Sequence, residues 1–216
     1  MASILDGGPP GRLLTFEGGE GAGKSSQMER LALRLRARGL SVLTTREPGG
    51  CPLAEEIRRW LVQGQPGSIT DKTELLLMLA ARVEHVQRVI QPALQRGEWV
   101  LCDRFMDSTL AYQGHGRGMD LDLLRQWHRW ALGSLVPDRT LLLDVSPRIG
   151  LARSGRAHRE SRFERESLAF HQRVREGFLS LAQAAPGRIR RMDAEQDPAQ
   201  VEEQIWMALG DLFSDP

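Results

Sequence analysis

Lysine is almost missing from this chain. Of the 29 basic residues among 216, only Lys24 and Lys72 are lysines and the other 27 are arginines. A bias toward Arg codons accounts for the imbalance, but not for where the two lysines stand. Cysteine is equally scarce: Cys51 and Cys102 are too few for a disulfide framework and lack the pairing or His neighbours of a zinc site, so a reducing, cytoplasmic setting is expected. No run approaches the roughly 18 apolar residues that span a bilayer. Residues 1–11 lack a basic start followed by an apolar core, so they are read as a flexible tail and not as a secretory signal. Net charge is missing too, since 29 basic residues nearly cancel 28 acidic ones. That excludes the global field that holds proteins on a nucleic-acid polymer or an anionic membrane, so any cationic site must be local.

What is present is an alternation of short apolar runs with longer helical patterns, the signature of a parallel sheet covered by helices. Strands are expected at 13–16, 41–45, 99–102, 140–145 and 189–192, each continuously apolar or β-branched as buried strands are. Helices are expected at 25–38, 53–62, 73–96, 121–135, 162–184 and 198–213, with Gly39 and Gly97 after helix ends and Pro198 in a first turn. Residues 12–216 read as one α/β domain with a five-stranded parallel sheet. The polar, Arg-rich stretch 150–161, interrupted by Gly155, reads as a lid loop.

The sequence Gly18-Gly19-Glu20-Gly21-Ala22-Gly23-Lys24-Ser25 follows the first strand and opens a helix, a full match to G-x-x-x-x-G-K-[ST]. Its glycines let successive N–H groups turn inward around an anion, and the helix N-terminus adds partial positive charge. Lys24 would neutralise the β and γ phosphates of ATP, and the Ser25 hydroxyl, followed by Ser26, would ligate Mg²⁺. Chance produces such a match in roughly 1% of chains of this size. The fold is thus expected to be the three-layer P-loop NTPase type. After the third strand comes Asp103-Arg104-Phe105, where Asp103 can serve the metal and the Arg104 guanidinium can hold phosphate bidentately. No Asn-Lys-x-Asp segment is present, which disfavours a guanine switch protein. A kinase of a nucleotide or deoxynucleoside and a P-loop ATPase switch both stay open at this point.

Four segments together resemble thymidylate kinases: 16–25, Thr45-Arg46-Glu47-Pro48-Gly49-Gly50, Ala80-Ala81-Arg82, and 103–114. The resemblance runs from Leu13 to Phe213 and implies transfer of the ATP γ-phosphoryl group to dTMP, with Mg²⁺, by a homodimer. It implies that Glu47 and Arg58 organise the acceptor nucleotide, that Arg82 meets its base or phosphate, and that Arg104 bridges donor and acceptor phosphates. Thr109 and Gln113 would read the base, and Tyr112, the only tyrosine, would pack under the deoxyribose. Glu20 matches the position that tunes Mg²⁺ or the acceptor phosphate. Where such kinases commonly carry a Phe against thymine, this chain has Met78 and Leu79.

Arginine recurs every third residue from Arg153 through Arg156, Arg159, Arg162 and Arg165, a spacing that sweeps around a helix instead of forming one face. One subclass of these kinases keeps a catalytic arginine in the lid and none in the P-loop. Gly21, Ala22 and Gly23 offer no arginine, so that subclass fits, with Arg153 and Arg159 as the favoured lid cations although Ser161 stands where an Asp is usual.

Overall fold

The computed structural model describes residues 11–155 and 161–213. Its described residues form one five-stranded sheet, β1 (Arg12–Glu17), β2 (Val42–Arg46), β3 (Trp99–Asp103), β4 (Arg139–Asp144) and β5 (Ile189–Asp193), in the order β2-β3-β1-β4-β5. All four pairings are parallel. The inner strands β1, β3 and β4 are buried almost throughout, which is why they read as uninterrupted apolar runs. Register places Phe16, Arg46 and Asp103 level with one another at the carboxyl edge, where open α/β sheets bind ligands.

Helices cover both faces: α1 (Lys24–Arg36), α2 (Pro52–Val62), α3 (Asp71–His85), α4 (Gln91–Gln95), α5 (Met106–Thr109), α6 (Leu121–Leu132), α7 (Pro147–Ser154), α8 (Leu168–Ala184) and α9 (Pro198–Met207). One apolar cluster joins Leu14, Phe16 and Leu141 to Leu31 and Leu35 of α1 and Ile205 of α9. Another, on the opposite face, joins Leu142 and Ile189 to Leu75 of α3 and Phe170 and Phe178 of α8.

Several segments differ from the sequence expectation. The helices expected over 121–135 and 198–213 end early, at Leu132 and Met207. The helix expected over 73–96 starts earlier, where Thr70 caps the Thr73 N–H, and passes through a π-helical turn, Val86–Ile90, before α4. The helix expected to start at Arg162 starts at Leu168 instead, with Ser167 accepting from the Phe170 N–H as its cap. Arg162 is held back because its backbone N–H donates to Val62 O and its buried side chain is tied to Leu61 O. Of the stretch expected to be a lid loop, residues 150–154 belong to α7, packed against the phosphate loop. A Cβ on Gly21 would lie 1.9 Å from Gly150 O, so close approach of loop and helix requires glycine at 21, which also has φ +64°. Arg156 and Arg159 and the N-terminal tail lie outside the described residues.

Candidate active site

The loop between β1 and α1 wraps the start of α1 around a common point. Gly18, Gly21 and Gly23 take positive φ, and Gly23 is itself the N-cap of α1. Lys24, 8% exposed, bends back over the loop and donates to Gly19 O at 2.9 Å and Gly18 O at 3.4 Å. Burial and the neighbouring Arg104 guanidinium push the Lys24 ammonium below its ordinary pKa, against the opposing pull of Asp103 and Glu20. Ser25 Oγ donates to Asp103 Oδ2 at 2.9 Å, joining the helix start to the end of β3. The other carboxylate oxygen, Asp103 Oδ1, is buried and has no hydrogen-bond partner among the described residues. A hydroxyl beside a carboxylate with an unspent oxygen is a donor set that suits a hard divalent cation such as Mg²⁺, the remaining ligands coming from phosphate and water.

Two cavities meet at this carboxyl edge. The first, about 650 Å³, is lined by residues 20–27 with Asp103, by Arg153 and Ser154 of α7, and by Gln196 and Pro198 beside α9. Arg153 reaches it while donating to Ala194 O at 2.8 Å. The second, about 540 Å³, is lined by Glu47, Met78, Arg82, Ser108, Thr109, Tyr112, Gln113 and Phe163. Glu20, Arg58 and Arg104 line both. Phe163 was not anticipated from sequence; it supplies an aromatic wall from beyond the lid, in a cavity where Met78 stands in place of the usual Phe.

Arg104 is fixed from three sides. It adopts φ +67°, a strained conformation for a residue with a Cβ, and such strain concentrates at functional sites. Its guanidinium donates to Gly18 O at 2.9 Å, to Ser108 Oγ at 3.2 Å and to Glu20 Oε1 at 2.9 Å, and stacks 5.0 Å over the Tyr112 ring. Burial alone would raise the Glu20 carboxyl, but Arg104 and Lys24 hold it at about 2. Tyr112 also donates to Glu20, at 2.7 Å. Glu17, missed as a site residue, fastens the backbone behind this array by accepting from the Phe105 and Ser108 N–H groups and from Ser108 Oγ. Burial and the nearby Asp107 raise its carboxyl to about 7.

Arg82 lines the second cavity, where the resemblance has it meet the base or phosphate of the acceptor, and it is also bound into the cavity wall. Its Nε donates to Glu47 Oε2 at 2.5 Å. Three of the four other N–H groups go to Thr109 Oγ1 at 2.9 Å, Phe105 O at 3.0 Å and His128 Nε2 at 2.6 Å, which leaves one Nη2 proton for the cavity. Glu47 also accepts from His85 Nδ1 at 2.9 Å. Both residues therefore build the cavity wall in addition to bordering the cavity. Arg58 donates to Pro48 O at 2.8 Å and keeps the rest of its guanidinium for the two cavities.

His128 must be neutral to accept from a guanidinium, and its Nδ1–H donates to Leu124 O at 2.8 Å. Burial and Arg82 push its pKa from 6.5 down to about 4. Between pH 4 and 6.5 the unfolded chain binds this proton and the folded chain does not, so His128 makes stability rise with pH across that window and contributes no slope above it. The stability difference between the wild type and His128→Gln is expected to grow by about 3 kcal/mol from pH 4 to pH 6.5, read by urea denaturation at each pH. A difference independent of pH would contradict a neutral His128.

Comparison with known proteins agrees with this geometry. A sequence model described as thymidylate kinase matches residues 16–205. The thymidylate kinase of Magnetococcus marinus is 57% identical over 204 residues, covering 94% of this chain and 97% of that relative. That of Thermomicrobium roseum is 52% identical over 201 residues, covering 93% of this chain and 95% of the relative. Among solved structures, the thymidylate kinase of Ehrlichia chaffeensis superimposes with a TM-score of 0.75 at 33% identity, covering 93% of this chain and 99% of the other. The phosphate loop, the paired cavities and these relatives lead to one assignment: this chain belongs to the thymidylate kinase family.

Proposed function

We propose that this protein phosphorylates dTMP to dTDP with ATP as donor, working as a cytoplasmic homodimer that uses Mg²⁺. The observation that carries the reaction is Arg104, a guanidinium rigidly held where the phosphate-loop cavity and the second cavity join. ATP belongs in the first cavity, its phosphates against residues 18–25 and Lys24. The acceptor belongs in the second, its base toward Thr109 and Gln113 and its 5′-phosphate toward Arg58 and Arg104. Ser25 and Asp103 would hold Mg²⁺, which supplies charge neutralisation on the transferring phosphates.

In this arrangement the protein needs no covalent intermediate. It holds attacking and leaving oxygens in line and surrounds the transferring group with fixed cations, which is where most catalysis of phosphoryl transfer comes from. Glu20 keeps Arg104 aimed while remaining ionised. Arg153, on α7, lines the donor cavity and would help keep water from the γ-phosphoryl group; Arg159, the other favoured cation, lies outside the described residues. Leu53 and Trp60, seven apart on α2, and Leu76 on α3 are all more than half exposed, which supports pairing of two copies through these helices. Sedimentation velocity at micromolar protein tests this, and a monomer there would exclude it.

A coupled assay at fixed ATP with dTMP, dCMP and dGMP tests the activity. Turnover of dTMP well above background ATP hydrolysis is expected. Turnover of another monophosphate with none of dTMP would overturn the reading.

A further inference from the structure

A buried carboxylate behind the second cavity has no part in phosphate chemistry. Glu74, on α3, is 0% exposed. Two arginines neutralise it: Arg162 lies 2.6 Å from Oε2, and Arg117 reaches both oxygens at 3.2 to 3.3 Å. Glu166 pairs with the far side of Arg117 at 2.7 Å. On its remaining side Glu74 Oε1 faces Gln113, whose Nε2 donates to it at 2.8 Å.

A carboxylate paired with two guanidinium groups can only accept, so the amide of Gln113 has one permitted orientation: nitrogen inward and Oε1 toward the cavity that Gln113 lines. Among the described residues nothing donates to that oxygen. Thr109, at the same cavity wall, is fixed in the opposite sense. Its hydroxyl oxygen accepts from Arg82, leaving its proton to be donated. The two lie on consecutive turns where α5 passes into a π-helical stretch, Leu110–Gly116.

We infer that Glu74 and Arg82 fix the hydrogen-bond polarity of the base pocket from behind, Gln113 as an acceptor beside Thr109 as a donor, and so select a pyrimidine carrying an imide edge. This rests on the proposed dTMP kinase activity. Thymine and uracil present an N–H at N3 beside a carbonyl at C4, which matches acceptor beside donor. Cytosine presents the reverse, a bare N3 beside an amino group, and leaves both protein groups facing their own kind. Sites that hydrogen-bond a substrate this way reject the mismatched analogue by large factors because the buried protein groups are left unpaired. The ring methyl is not read by either group, so dUMP is treated as an imide like dTMP. Glu74 acts through Gln113 and is a positioning residue; Arg82 orients Thr109 while itself lining the cavity.

The test is kcat/KM for dTMP, dUMP, dCMP and 3-methyl-dTMP in wild type, Glu74→Gln, Glu74→Asp and Glu166→Gln. Glu74→Gln lets the amide of Gln113 turn over; Glu74→Asp withdraws the acceptor while keeping the charge against both arginines, which guards against loss of the fold. In the wild type, dCMP and 3-methyl-dTMP are expected at least about 100-fold below dTMP. In either Glu74 variant the ratio of dTMP to dCMP is expected to fall about ten-fold or more, mainly through the KM values. Glu166→Gln disturbs the same ion-pair network without touching Gln113, so it should lower thermal stability and leave the ratio unchanged. A ratio held within two-fold in the Glu74 variants, or one shifted equally by Glu166→Gln, overturns the inference and leaves the activity standing. Wild-type enzyme that acts on dCMP as well as on dTMP overturns the inference too. Failure of the wild type with dTMP and dUMP alike would instead overturn the activity.

Discussion

Lys24→Ala is expected to lower kcat by about a thousand-fold while leaving the protein folded. Among the described residues the side chain has no anion within hydrogen-bonding distance; it donates to the Gly18 and Gly19 carbonyls, which hold the ammonium over the phosphate loop in advance of any ligand. Removing one preorganised donor aimed at developing charge costs on the order of 10²–10³ in kcat, and here the donor also carries the charge. Lys24→Arg is the sharper comparison. A chain that uses arginine 27 times has one of its two lysines here, and the two differ in form: a compact ammonium on a flexible stem bends back over the loop as a point charge, which a planar guanidinium does not reproduce. Lys24→Arg should therefore be impaired nearly as much as Lys24→Ala. The measurements are kcat by the coupled assay and the melting temperature of each variant. Activity within ten-fold of the wild type for Lys24→Ala, with an unchanged melting temperature, would remove Lys24 from the mechanism.

Lys24 was legible in the sequence because everything that defines its role is local. Eight consecutive residues, a strand before and a helix after give the phosphate loop, and the fold then does what those residues dictate. The three inner strands were legible for a related reason, since burial on both faces leaves a largely apolar run, whereas the edge strands β2 and β5 are only partly buried. The tie of Arg82 to Glu47 was not. An arginine in an otherwise apolar helical stretch says only that it needs an anion, and nothing local points to Glu47, 35 positions away, as a partner it holds while lining the cavity. The helix expected over 162–184 was placed too early for a similar reason, since ties of Arg162 to Val62 O, Leu61 O and Glu74, all distant in sequence, delay it to Leu168. Glu74 itself carried one usable signal, an acid embedded at the start of an apolar stretch, Leu75-Leu76-Leu77, where a carboxylate is costly unless paired.

The same dependence on partners distant in sequence governs Arg104, and it determines how its loss should be read. Arg104→Met is expected to reduce kcat/KM for dTMP by about a thousand-fold, because it removes two charge-assisted contacts worth about 1.5–3 kcal/mol each. It should also destabilise the fold, since Glu20, buried and held at about 2 largely by this guanidinium, is left with Lys24 and the Tyr112 hydroxyl as its main support. The two effects can be separated. Glu20→Gln in the Arg104→Met background removes the stranded charge, so the melting temperature should recover while activity stays low. Arg104→Lys, which carries the same backbone strain at φ +67° as Arg104→Met, keeps a cation but loses the fork. It should bind ATP as the wild type does and still fail to bring the two phosphates together, appearing as a loss in kcat larger than the rise in KM for either nucleotide. Recovery of turnover in the Arg104→Met, Glu20→Gln double variant would mean that Arg104 serves only to neutralise Glu20, and that the junction of the two cavities is not where the phosphoryl group passes.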